Sequence, residues 1–297
     1  MANDDEASIA ENRDEDDPGK SQVRASAPRP TRAERKARER AAFFTAHPRC
    51  CYCNGERVSE EIDHAPARIC FRDKAGPEGF EFPACGECNR AAAASEQVSA
   101  LHIRMFDHNG ENLRKEDLYR LVEGVANNAP EAMPIVPIEA WERDAPPTAS
   151  ITAAAHRHLE VFATKILYAM YYRVTAGQMA NHRLRRLVAW AQVGTPAAED
   201  LSRMTEAWFG ELRVGERGNV DIGDQFHFRH AYNSAHGYLG FSMSFGRSLL
   251  FFCVLGPAKQ LATLKTPRSI DRRSRYWKPF RYQPIRELGI ALKRRRA

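Results

Sequence analysis

Two Cys-x2-Cys pairs, Cys50–Cys53 and Cys85–Cys88, stand 31 residues apart inside one stretch of 39 residues. Two thiolates at that spacing can turn back onto one ion, and two such pairs complete a tetrahedral four-sulfur shell. A closed shell of this kind is a structural zinc site, whose binding energy goes into folding rather than into activating a water. Residues 49–89 run in short irregular pieces with Gly and Pro between them, as a small metal-organised module would. Cys51 breaks the spacing and is left out of the ligand set. Cys70 and Cys253 are expected to pack as small hydrophobes.

The metal reading depends on the thiols staying reduced. The chain opens MANDDEAS, with neither a basic n-region nor an apolar h-region, so no secretory signal is expected. Seven cysteines in a cytoplasmic chain point to metal or thiol chemistry rather than to disulfides. The longest strongly apolar run, Ser248 to Leu255, is too short to cross a bilayer, so no membrane span is expected.

The net charge of +6 conceals a segmented distribution: residues 1–20 carry −6, residues 21–49 carry +6, residues 50–264 carry −4 and residues 265–297 carry +10. Positive charge gathered towards both ends suits arms that grip a polyanion, and it equally suits solvated tails. The stretch Arg272 to Tyr282 interleaves bases with Tyr276, Trp277 and Phe280, a mixture that combines phosphate contacts with stacking.

Along the chain, residues 1–30 hold acidic clusters, prolines and almost no large apolar side chain, and are expected to be disordered. Thr31 and Glu34 have capping-box spacing and open a basic helix from about Arg32 to Thr45. A helix follows Asn89, and a second, short one carries Leu118, Leu121, Val122 and Val125 on one face. Five prolines mark residues 127–149 as a linker. Leu159, Phe162, Ile166 and Met170 then define an amphipathic helix, with further helices expected at Leu184 to Trp190 and Leu201 to Leu212. Gln225–Tyr232, Tyr238–Phe245 and Ser248–Leu255 read as an antiparallel three-stranded meander. His227, His230 and His236 are read as ordinary strand and turn histidines, and Tyr171, Tyr172 and Trp190 as core. The expected fold class is α+β. Its parts are a basic helix with a zinc module over 31–126, a linker over 127–149, an α+β domain over 150–265 and a basic tail over 266–297. No internal repeat is found.

Between the cysteine pairs stands Ile62-Asp63-His64-Ala65-Pro66, and the second pair is embedded in Pro83-Ala84-Cys85-Gly86-Glu87-Cys88-Asn89. In these residues the chain resembles the HNH endonuclease superfamily in its cysteine-rich, treble-clef (ββα-metal) branch. The likeness covers about residues 45–105 and rests on Asp-His-x-Pro followed by Pro-Ala-Cys-x2-Cys-Asn. It implies a metal-dependent endonuclease that hydrolyses phosphodiester bonds in DNA. His64 would be the general base, Asp63 and Asn89 the oxygen ligands of a catalytic Mg2+ or Mn2+, and Cys50, Cys53, Cys85 and Cys88 the ligands of a structural Zn2+. The chemistry suits these types: an imidazole can deprotonate water near neutral pH, and a hard cation takes oxygen ligands and steadies the phosphate.

The pattern departs from the family in one place, since Gly79-Phe80-Glu81-Phe82 lacks the middle residue of the HNH name. Adjacent strand residues point to opposite faces, so Asp63 and His64 share one site only through a turn or bulge. Asn89 could instead cap the helix that follows. Glu96, two turns beyond Asn89, is read as a solvated glutamate rather than an extra ligand. Arg68 and Arg90 are candidates for phosphate contact. The alternatives are a non-catalytic zinc module that binds nucleic acid or a protein partner, and an HNH relic whose work lies in the second domain. Homo-oligomerisation is left open.

Overall fold

In a computed structural model, residues 30–107, 115–135, 150–211, 217–262 and 280–289 are described. The expected acidic tail, most of the linker and most of the basic C-terminal segment lie outside them. The first helix, α1 (Arg32–Ala46), begins where the capping box places it. Thr31 N donates to Glu34 Oε2 at 2.8 Å, and Glu34 N donates to Thr31 Oγ1 at 3.2 Å. Residues 30–41 belong to a unit of their own, and their side chains are exposed.

From Ala42 onward the chain builds a second unit. Strands β1 (Glu61–His64) and β2 (Glu81–Ala84) form an antiparallel hairpin, followed directly by α2 (Gly86–Met105). Helix α3 (Lys115–Asn128) packs on α2. The helix expected around Leu159 is α4 (Ala153–Val174), with Thr152 Oγ1 accepting from Ala155 N at 3.1 Å as its cap. It is longer than its amphipathic stripe suggested, and 17 of its 22 residues are buried, so it is a central helix wrapped on all sides.

The remaining elements are β3 (Leu184–Gln192), α5 (Pro196–Glu211), β4 (Arg217–Ile222), β5 (Phe226–Asn233), β6 (Tyr238–Phe245), β7 (Leu249–Pro257), α6 (Ala258–Ala262), β8 (Phe280–Arg281) and α7 (Ile285–Leu288). The meander is present as β5, β6 and β7, inside a six-stranded antiparallel sheet ordered β4-β5-β6-β7-β3-β8. The helix expected at Leu184 to Trp190 is instead β3, a central strand. Its odd residues Leu187, Ala189 and Ala191 face α5 and α6, while Leu184, Val188 and Trp190 face α4. A strand buried on both faces shows no alternation, and its apolar residues then imitate helical spacing. On β7, Leu250, Phe252 and Val254 pack on one side and Leu249, Phe251, Cys253 and Leu255 on the other.

The layers are therefore α5 with α6, then the sheet, then α4, and beyond α4 the helix α2 with the hairpin. One buried cluster runs from Cys50 through Leu101, Phe162 and Phe241 to Ile285. Helix α7 closes it from the far end of the chain: Ile285 N donates to Tyr52 O at 3.1 Å, and Arg286 pairs with Glu56. No described helix is long and apolar enough to cross a membrane.

Helices α2 and α4 also share a polar contact inside this core, a hydrogen bond of 3.0 Å between Ser95 Oγ and His158 Nδ1. Burial pushes the His158 pKa down to about 4. Between that value and the ordinary histidine value near 6.5, the unfolded chain takes a proton that the folded chain refuses. His158 therefore favours the fold fully above about pH 6.5, and that contribution is lost as pH falls towards 4. At about 1.4 kcal/mol per pH unit, the chain should be roughly 2 kcal/mol less stable at pH 5 than at pH 7 from this residue. Urea unfolding of the parent and of His158→Gln at both pH values should show that part of the drop only in the parent.

Candidate functional site

The first knuckle folds because its turn closes on its own backbone. Cys50 N donates to Arg57 O at 3.0 Å, Gly55 N to Cys50 O at 3.1 Å and Glu56 N to Cys53 O at 3.0 Å. Asn54 and Gly55 take positive φ angles of 53° and 71°, which the tight return requires. The second knuckle is the start of α2. Cys85 is the N-cap, and its sulfur accepts from Cys88 N at 3.5 Å. The helix thus begins at Gly86, and Asn89 stands inside its first turn rather than capping it.

The sulfurs of Cys50, Cys53, Cys85 and Cys88 all lie within 4.8 Å of one another, and all four residues are buried. A tetrahedral ion with metal–sulfur bonds of about 2.3 Å needs sulfurs roughly 3.8 Å apart, so the cluster fits one ion after small adjustment. Thiols packed this tightly share their protons unevenly. Cys53 is drawn down to about 2, its sulfur accepting from Cys50 and Cys88, while Cys50 is pushed up to about 12, chiefly by its bond to Cys53. A dication in the middle would allow all four to ionise together. Cys51 is buried beside them and is held by its backbone, its N donating to Pro83 O at 3.0 Å. Cys70 and Cys253 are buried as well.

The residues singled out beside this centre divide between two faces of β1. The hairpin register pairs Asp63 with Phe82 and His64 with Glu81 and contains no bulge. Asp63 therefore turns inward and His64 to the opposite side. Asp63 is 7% exposed, accepting from Tyr52 Oη at 2.5 Å and from the Lys165 ammonium at 2.8–2.9 Å. Lys165 comes from the middle of α4 and is 1% exposed. Its Nζ also donates to Asn89 Oδ1 at 3.3 Å and to Glu96 Oε1. Asn89 Nδ2 in turn donates to Glu61 Oε2. Asp63 and Asn89 are thus brought together, with an ammonium between them.

Glu96 is a correction to the sequence reading. It is not solvated: its side chain is 14% exposed and ion-paired with Lys165. Burial raises its carboxyl above the ordinary range, opposed by the lysine charge. Burial alone would discharge Lys165, but Asp63 and Glu96 outweigh it and hold the ammonium more firmly charged than usual. Lys165, Tyr52 and Glu61 were not read from the sequence as site residues. Lys165 did carry a signal, since it is the one charged residue between Val161 and Tyr172, in a run that is otherwise apolar or neutral. A lone charge in such a run has to be paired when it is buried.

A divalent cation does not fit Asp63 and Asn89 as they stand. Both carboxylate oxygens of Asp63 and the amide oxygen of Asn89 are spent on Lys165 and Tyr52. On the other face, His64 is partly exposed, with Nε2 4.0 Å from Glu81 Oε1. Burial, and next the nearby charge of Arg68, lower its pKa, so the imidazole is neutral at pH 7. Glu81 also lines a cleft of about 720 Å³ whose walls include His47, Arg49, Tyr172 and Arg173. Arg173 is steadied there by donating to Gly79 O at 2.9 Å and by lying 4.9 Å from the centre of the Phe80 ring.

Two results should follow. The purified chain should carry about one tetrahedral metal ion, read by metal analysis and by the sulfur-to-cobalt absorption after exchange, and Cys88→Ser should lose it together with the cooperative unfolding transition. Asp63→Ala takes one of two carboxylates away from the buried Lys165 ammonium and should cost about 3–5 kcal/mol in urea unfolding of the metal-loaded chain. Searches of family models, curated proteins and solved structures give no match to this chain, so its reading comes from its own residues.

Proposed function

We propose that the chain is an HNH-type endonuclease that hydrolyses phosphodiester bonds in DNA, built on a treble-clef module with a structural Zn2+ at Cys50, Cys53, Cys85 and Cys88. The observation that carries the reading is the way one sulfur cluster ties the first knuckle to the head of α2. The tie sets the Asp63–His64 strand against Asn89, so that the two halves of the motif meet in space. On this reading His64 is the residue that acts. It is neutral, partly exposed and directed away from the Lys165 network, with Arg68 near it.

On this reading His64 takes the proton from a water whose oxygen attacks phosphorus, and Glu81 steadies the imidazolium that forms. The bond from phosphorus to the leaving sugar oxygen breaks, and that oxygen takes a proton from solvent water. Arg49 and Arg173 bring positive charge to the phosphates along the neighbouring cleft, and Arg68 adds its charge near His64. The exposed helix α1, with Arg32, Arg35, Lys36, Arg38 and Arg40, adds affinity for the backbone without reading its sequence. The resemblance also brings a catalytic Mg2+ or Mn2+ on Asp63 and Asn89. No step is assigned to that ion, because the oxygens concerned are held by Lys165.

That same observation favours a second reading, a zinc-stabilised module that binds nucleic acid and does not cut it. Nicking of supercoiled plasmid by the full chain separates the two, run with and without Mg2+ or Mn2+ beside His64→Ala matched for zinc content and folding. The endonuclease reading expects nicking by the parent and a fall of about 10²–10⁴-fold in the variant. Equal rates in parent and variant would remove His64 from the chemistry. DNA binding without nicking under any of these conditions would leave the binding module.

A further inference from the structure

We propose that Lys165 is the resident cation of the pocket formed by Asp63, Asn89 and Glu96, holding with its ammonium the place of a divalent ion and keeping Mg2+ and Mn2+ out. The inference rests on the HNH-type reading of Asp63 and Asn89. Its test reads metal binding rather than cleavage, so either can fail without the other.

The pocket has the donor set of a hard-cation site: two carboxylates and one amide, all oxygen, from three places in the fold. Asp63 is on β1, Asn89 in the first turn of α2, and Glu96 two turns further along the same helix face. An ammonium has three N–H donors and no acceptor. Here each donor has an oxygen to go to: Asp63 at 2.9 Å, Asn89 at 3.3 Å and Glu96. The coordination of this one nitrogen is complete.

Entry of a metal would require all three contacts to be given up. Mg2+ demands oxygens at about 2.0–2.1 Å in a near-octahedral shell and keeps several waters. Lys165 is 1% exposed and Asp63 is 7% exposed, with the Tyr52 hydroxyl on the remaining side of the carboxylate, so that shell and the ammonium exclude each other. Nor can Lys165 easily withdraw. It is anchored mid-helix in α4, which is packed on the sheet at one side and on α2 at the other. A surface lysine that happened to touch two acids would be free to leave; this one would have to carry its charge into an apolar core.

The experiment is a Mn2+ titration of the full, zinc-loaded chain, followed by the electron paramagnetic resonance signal of free Mn2+. The parent should leave that signal unchanged into the millimolar range. Lys165→Met, close in length but uncharged, should bind about one Mn2+ per chain at least about tenfold more tightly than the parent. Lys165→Met combined with Asp63→Asn should lose the ion again, and Lys165→Arg should stay silent like the parent. Binding of one Mn2+ by the parent, abolished by Asp63→Asn, overturns the proposal, and it does so whether or not Lys165→Met folds. A Lys165→Met chain that keeps its zinc and its circular dichroism yet binds no Mn2+ overturns it too, because the pocket would then be an ion pair and not a cation site.

Discussion

Lys165 stands in the middle of the most buried helix with its ammonium closed off from water, and a charge so placed has to be surrounded by acceptors. Those acceptors come from β1 and α2, so one side chain of the sheet-packed helix fixes the hairpin and the head of the second helix. The geometry is demanding on both sides. Without the lysine, Asp63 and Glu96 would lose the cation that sits between their carboxylates. Such a pair adds little to stability compared with apolar side chains of equal size, but breaking one half of it is costly. Its effect is on arrangement: it allows one register of α4 against α2.

With an ion bound, the sulfur cluster would do the same for the opposite end of the hairpin, by metal–sulfur bonds rather than by charge pairing. Cys50 and Cys53 belong to a tight turn, Cys85 and Cys88 to a helix start, and their approach within 4.8 Å sets the turn against the helix. Between the two anchors lies β1, four residues long. Asp63 is committed to one face by Lys165, and the pleat then commits His64 to the other. Which side chain β1 leaves partly exposed is decided by a lysine about a hundred residues away in sequence.

Much of this was legible in the residues. The cysteine spacing points to the four-sulfur cluster, the capping box to the start of α1, and the alternating or apolar runs to β5, β6 and β7. Two kinds of information were not. A strand covered on both faces loses its period-2 signature, and Leu184 to Trp190, most of β3, reads as a helix for that reason. Partnerships between distant residues leave no local trace either. Glu96 looks like a solvated helix glutamate until Lys165 is placed beside it, and Asn89 looks like a cap until Cys85 takes that role. The isolated lysine in an apolar helix was the clue available, and it announces that a partner exists without saying which.

The short helix α7 has a consequence for how the molecule is made. Its Ile285 is fully buried against the first knuckle, bonded to the carbonyl of Tyr52 across more than two hundred residues of chain. Strand β8, just before it, completes the sheet beside β3. Loop closure over such a span is entropically expensive and comes late. During synthesis, the wall of the knuckle on that side stays open until the chain has left the ribosome as far as Leu288. The cysteines are first in the sequence to be ready for a metal and among the last to be enclosed.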